Sequence, residues 1–145
     1  MVFFFFLFLS SCNKWCGWNY QSIECGTATC YSLSHSPTNL INHLSIDFQK
    51  GCYGRLGYIS VGGGKIPRSQ EYPEYTPITL YIGGQNRSFY GYLEQGDQRI
   101  QLPNEATDMI FNALENGNRV GIAITERYSV FEPEDFCHYA AILKK

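Results

Sequence analysis

Apolar and polar positions recur along the chain with two periods, and the switches between them outline its elements. Leu56 to Val61 (LGYISV) is a strand-like run. Ile78 to Ile82 (ITLYI) and Ser88 to Leu93 (SFYGYL) flank the turn-forming GGQNR, which predicts a β-hairpin. Gln95-Gly96-Asp97 marks a further turn leading into the short strand RIQL. The period then changes. In PNEATDMIFNALENG the residues Ala106, Met109, Ile110, Ala113 and Leu114 fall on one helical face, Pro103 and Glu105 favour the start, and Gly117 suits the C-cap. This predicts a firm helix over about 104–116. The segments RVGIAITE and FCHYAAIL read as two more strands, joined by a turn at Glu132-Pro133-Glu134-Asp135. Upstream, Leu40, Ile41, Leu44 and Phe48 share a helical face behind Ser36 and Pro37, which predicts a short helix over about 37–48. The aromatic stretch NKWCGWNYQSIEC reads as extended. The fold class this implies is β-rich α+β: about five to seven strands, mostly antiparallel, in a curved sheet or partly open barrel with helix packed on it.

The first residues follow neither period. Val2 to Leu9 are all apolar, five of them Phe. A helix needs roughly 20 apolar residues to cross a bilayer, so this run has instead the length of a signal-peptide core. Leu9, Ser10, Ser11 and Cys12 follow it. The tetrapeptide LSSC resembles the lipobox of bacterial lipoprotein signal peptides, in which an aliphatic residue and two small ones precede the Cys. The resemblance is confined to the leader. It implies cleavage before Cys12 and a diacylglycerol on its sulfur, hence an envelope protein facing the periplasm or cell surface. The start of the leader carries no Lys or Arg, which departs from the pattern; an ordinary secretory leader or an uncleaved apolar tail are the alternatives. The organisation expected is a signal peptide over 1–11, an anchored segment over 12–35 and one globular domain over 36–145.

Composition narrows the function classes. Removing the 11 leader residues from 145 leaves 134, enough for one domain with a real core. The leader is uncharged, so the net charge stays at −2, and there is no basic stripe of the kind nucleic-acid binding requires. Besides Cys12 there are five cysteines: Cys16, Cys25, Cys30, Cys52 and Cys137. Export makes disulfides the first expectation for them, with Cys137 tied to an N-terminal cysteine. Their spacing offers no second close pair to complete a zinc site, and no metal or other cofactor is expected.

Motifs for catalysis are weak. Gly62-Gly63-Gly64-Lys65 lacks both the first Gly and the following hydroxyl of a phosphate loop. Cys137 and His138 are adjacent and, on a strand, would point to opposite faces rather than form a dyad. Glu71 with Glu74, and Glu132 with Glu134 and Asp135, could be read as hydrolytic carboxylate pairs, but they lie in Pro-containing turns. His35 and His43 suggest no metal face.

Aromatic residues stand out instead. Tyr72, Tyr75, Tyr81, Phe89, Tyr90 and Tyr92 crowd one loop and hairpin. Tyr gives wide contact area and a hydroxyl at low entropy cost, so Tyr72, Tyr75, Tyr90 and Tyr92 are the candidate partner-binding residues. The reading that follows is a non-catalytic envelope lipoprotein binding a protein or glycan. An immunity or inhibitor lipoprotein, a secreted carbohydrate-binding subunit and an envelope hydrolase are the rivals. The leader is directly testable: labelled palmitate should enter the wild-type chain and be lost in Cys12→Ser, whereas equal labelling of both would remove the lipid anchor.

Overall fold

The computed structural model describes residues 17–26, 28–36, 43–52 and 54–144. The elements are β1 (Trp18–Cys25), β2 (Ala28–His35), β3 (Leu44–Gly51), β4 (Gly54–Val61), β5 (Tyr75–Ile82), β6 (Gln85–Leu93), β7 (Arg99–Gln101), α1 (Asn104–Glu115), β8 (Val120–Ile124), β9 (Arg127–Phe131) and α2 (Phe136–Lys144). Among the described residues the nine strands form one antiparallel sheet in the order β1-β2-β3-β4-β7-β6-β5-β8-β9. The β-rich α+β curved sheet read from the sequence is what the chain forms.

Alternation along each strand divides the sheet into two faces. Leu33, Leu44, Ile46, Phe48, Ile59, Ile78, Leu80, Ile100, Val120 and Ile122 point to one face and are buried. Both helices cover that face. Helix α1 presents Ala106, Thr107, Ile110, Phe111, Ala113 and Leu114 to it, and α2 presents Phe136, Ala140 and Leu143. The sheet curls around them. Although β3 and β9 are distant in strand order, the Leu44 backbone N–H donates to Ser129 Oγ at 2.8 Å across a buried contact. Likewise the Trp18 indole N–H of β1 donates to the Glu132 carbonyl just beyond β9, at 3.0 Å.

Glycines set two close approaches. A Cβ at Gly57 of β4 would lie 2.8 Å from Thr107 Oγ1, so α1 rests directly on the strand there. At Gly91 of β6 a Cβ would lie 2.3 Å from Ile100 Cγ2 and 2.6 Å from Ile78 Cδ1. The hairpin turn between β5 and β6 is Gly83-Gly84, both with positive φ (59° and 78°), as a tight turn matching strand twist requires.

Two expected elements differ. The helix expected over about 37–48 is not formed in its described part. Leu44 to Gly51 is strand β3, with Leu44, Ile46 and Phe48 buried and Ser45, Asp47 and Gln49 on the other face. Leu44 and Phe48 satisfy both a helical and an alternating pattern, and Ile46 decides for the strand. Residues 37–42 lie outside the described ones. Conversely, FCHYAAIL is not a strand but α2. Its β-favouring residues suggested extension, yet Phe136, Ala140 and Leu143 recur at i, i+4 and i+7 and are the ones buried. Strand β9 follows β8 through a two-residue turn at Thr125-Glu126, with Thr125 at φ 52°; that dipeptide carries no Gly or Asn to announce a turn. Residues 18–35 form β1 and β2 of the same sheet.

The stripe on α1 sets a stability test. Ile110 is fully buried, while Met109 is only partly so and lies against the Arg87 guanidinium. Ile110→Ala should destabilise the domain by about 2–5 kcal/mol in chemical denaturation. A loss below about 0.5 kcal/mol, the scale of ordinary surface substitutions, would place the stripe in solvent.

Candidate functional site

With the inner face occupied by both helices, the outer face of the sheet carries the exposed chemistry. Register defines it. One cross-strand row runs Ser34, Asp47, Tyr58, Gln101, Tyr92, Tyr75 over β2, β3, β4, β7, β6 and β5. Its two halves differ in kind.

In the first half every charge is paired. Asp47 accepts from Ser32 Oγ and Gln49 Nε2, each at 2.6 Å. Arg99 reaches Asp47 at 3.7 Å and Glu94 at 3.6 Å, and its guanidinium lies 3.7 Å over the Tyr58 ring. Tyr58 is thereby covered and buried.

In the second half the outward positions of the strands carry no charge. The outward residues of β5 are Tyr75, Pro77, Thr79 and Tyr81, and those of β6 are Asn86, Ser88, Tyr90 and Tyr92. Pro77 is tolerated here because β5 pairs with β8 only at Thr79 to Tyr81, so its missing N–H opposes no partner on that side. Tyr72, Tyr75, Tyr81, Tyr90, Tyr92 and Tyr128 each expose between 39% and 50% of their surface, which sets them apart from the core aromatics. They meet in edge-to-face pairs: Tyr72 with Tyr90 at 5.5 Å, Tyr75 with Tyr92 at 5.9 Å and Tyr81 with Tyr128 at 5.9 Å. Such geometry is the preferred one for aromatic rings and fixes their orientation.

The loop that carries Tyr72 is irregular but tied down. Ile66 is buried and its N–H donates to the Asp97 carbonyl at 2.7 Å. Arg68 pairs with Asp97, and buried Thr76 donates from Oγ1 to the Pro67 carbonyl at 3.1 Å. The Ser69 N–H donates to the Tyr75 carbonyl at 2.9 Å. Gly63 and Gly64 direct their carbonyls to Arg127 and Gln98.

A cleft opens where β7 ends. That strand has only three residues; Leu102 still bonds to the Gly57 carbonyl, and the chain then leaves the sheet at Pro103 to begin α1. The space a longer β7 would fill is a cleft of about 320 Å³. Tyr75, Tyr90 and Tyr92 form one wall, and Gln101, Pro103 and Asn104 the other. Glu71, Tyr72, Pro73 and Glu74 border a second concavity that shares Tyr75.

The four candidate tyrosines thus lie together on one surface. Tyr81 joins their face, whereas Phe89 points inward and is partly buried against the core. Gln101 and Asn104 were not singled out in the sequence; only the register of β7 and the start of α1 bring them to the tyrosines. Of the cysteines, Cys12 and Cys16 lie outside the described residues. Cys25 ends β1, and Cys30 sits half-buried on β2. Among the described residues Cys52 and Cys137 are exposed thiols without a disulfide, and Cys137 Sγ donates to the Glu115 carbonyl at 2.9 Å. Cys137 and His138 are helical neighbours, and the His138 ring packs on Tyr139 rather than on the thiol. Among the described residues no three His, Cys, Asp or Glu side chains are grouped to hold a metal, and no helix is long and apolar enough to cross a membrane.

His35 and His43 line a separate cavity of about 260 Å³ with Ser129 and Phe131. The His35 ring is boxed edge-on by Trp18 at 5.2 Å and Phe131 at 5.6 Å, and among the described residues its buried Nδ1 has no hydrogen-bond partner.

No protein-family model, no curated protein and no solved structure matches this chain.

Burial holds the His35 pKa below its ordinary value of 6.5. The folded state therefore favours the neutral ring, while the unfolded chain takes up a proton as pH falls through about 6.5. Stability should be fully present above that value and decline as pH falls below it. Denaturation midpoints measured from pH 7.5 downward should show this decline in wild type and a shallower one in His35→Phe; equal slopes would assign the effect to another group.

Proposed function

We propose that the chain is a non-catalytic lipoprotein of the cell envelope, anchored through Cys12, whose domain binds a protein or glycan partner through Tyr72, Tyr75, Tyr90 and Tyr92. One observation carries the reading: Tyr75, Tyr90 and Tyr92 on uncharged outward positions of β5 and β6, and Tyr72 on the adjoining loop, hold their rings paired and half exposed. Water contact at so many aromatic rings is unfavourable for a surface with no partner. Rigid Tyr side chains lose little freedom on binding, and the intervening Ser, Thr, Asn and Gln supply adaptable hydrogen bonds. The anchor follows from the LSSC sequence and would hold the domain at a membrane surface, with the tyrosine face free to meet envelope material. The exposed thiol of Cys137 keeps a disulfide to an N-terminal cysteine within this reading, to be sought by non-reducing peptide mapping of envelope-derived protein.

Binding and folding separate cleanly here. Cross-strand aromatic pairs contribute roughly 0.2–1 kcal/mol each. Tyr72→Ala and Tyr75→Ala should therefore leave the melting temperature nearly unchanged while abolishing capture of envelope material, scored for both protein and sugar. Unfolding of the variants, or capture equal to wild type, would place the site elsewhere.

A further inference from the structure

We infer that the partner of the tyrosine face is an uncharged oligosaccharide, bound with one sugar unit in the cleft between Tyr92 and Asn104. The inference rests on the recognition reading above and names the ligand class.

Three features of the cleft converge on a neutral polyol. The first is charge. Its walls are Tyr75, Tyr90, Tyr92, Gln101, Pro103 and Asn104, none of which is an acid or a base. Its surroundings offer no unpaired base in their place: Glu71 and Glu74 border the adjoining concavity, and Glu105 in the first turn of α1 is ion-paired with Arg87. A phosphate or carboxylate ligand would meet no cation among the lining residues. Glu71 and Glu74 would repel it, whereas Glu105 is paired with Arg87 and the two add no net charge beside the cleft.

The second feature is hydrogen-bonding type. Gln101 and Asn104 each offer a carboxamide, a donor and an acceptor fixed side by side, and each phenol can donate or accept. A sugar hydroxyl likewise does both. The start of α1 adds to this: Pro103 forms no side-chain cap, so the first backbone N–H groups of the helix find no cap acceptor beside the cleft. A hydroxyl oxygen satisfies such a donor without bringing charge.

The third is shape. The cleft holds about 320 Å³, at the lower end of ordinary small-ligand pockets, so it suits one sugar ring rather than a peptide helix or a lipid chain. It opens along the strand surface toward Tyr72 and Tyr90, whose paired rings continue beyond it. Aromatic rings present an electron-rich face, on which the C–H side of a sugar ring can lie. A linear glycan would place one unit in the cleft and the next over Tyr90 and Tyr72. The second concavity borders the cleft at Tyr75.

The test uses the full-length chain in detergent. Hexasaccharides of N-acetylglucosamine, β-linked glucose, α-linked glucose, mannose and xylose are titrated calorimetrically, with oligogalacturonate as the charged comparison. At least one uncharged hexamer should bind, and oligogalacturonate should not. Tyr92→Ala should weaken that binding by about tenfold or more, the scale of losing one well-placed aromatic contact. Gln101→Leu keeps the side-chain size and removes the amide; it should weaken binding similarly. Circular dichroism melts confirm that both variants are folded. Should Tyr92→Ala unfold, Gln101→Leu alone carries the test. Binding of oligogalacturonate only, or equal affinity in wild type and Gln101→Leu, overturns the inference. If no sugar binds yet an envelope protein is still captured through Tyr72 and Tyr75, the ligand class is wrong and the recognition reading stands. If neither sugar nor protein depends on the tyrosines, both fail.

Discussion

Four aromatic rings from four elements hold this fold together. Phe48 of β3, Phe111 of α1 and Phe136 of α2 meet edge-to-face with centroids 5.0 to 5.9 Å apart, and Trp18 of β1 closes on Phe136 at 4.8 Å. Each ring is nearly or completely removed from water. The cluster is what allows a long sheet to curl: both helices are seated on it, and the strands bend until β9 reaches β3 and the Trp18 indole reaches Glu132. Its consequence for function is exclusion. Where the two helices and this aromatic packing fill the inner face they leave little space, and the exposed tyrosines stand on the outer face.

That outer face is divided by how its charges are treated. Around Tyr58 the carboxylates and Arg99 neutralise one another and cover the ring. On the outward positions of β5 and β6 there is no charge to neutralise, and the rings stay open. Gly91 links the face to the core. It lies between Tyr90 and Tyr92 and lets β6 settle onto Ile78 and Ile100, which sets the height at which both tyrosines stand.

Much of this was legible in the sequence because it depends on local period. The α1 stripe, the Gly83-Gly84 hairpin and the crowding of tyrosines near it follow from spacing alone. What was not legible depends on registers that no local pattern states. Leu44 and Phe48 fit a helix until Ile46 is seen to be buried between them. Phe136 begins a stretch of strand-favouring residues that folds as helix because Ala140 and Leu143 are placed to bury with it. Gln101 and Asn104 lie nine or more residues from Tyr92 in sequence, and only the early end of β7 makes them its neighbours. The pairing of β5 with β6 sends Tyr75, Tyr81, Tyr90 and Tyr92 to the same side and Phe89 to the other, a placement that depends on the register between the two strands.

The central claim is that these tyrosines face a partner rather than merely solvent. Nitration footprinting measures that directly. Full-length protein is treated with tetranitromethane alone and in the presence of envelope extract, and modified tyrosines are read by mass spectrometry. The account predicts nitration of Tyr75, Tyr90 and Tyr92 in the free protein and their protection in the extract, with Tyr58 unmodified throughout. Nitration of those three unaffected by the extract, while tyrosines outside the cleft such as Tyr128 become protected, would contradict it.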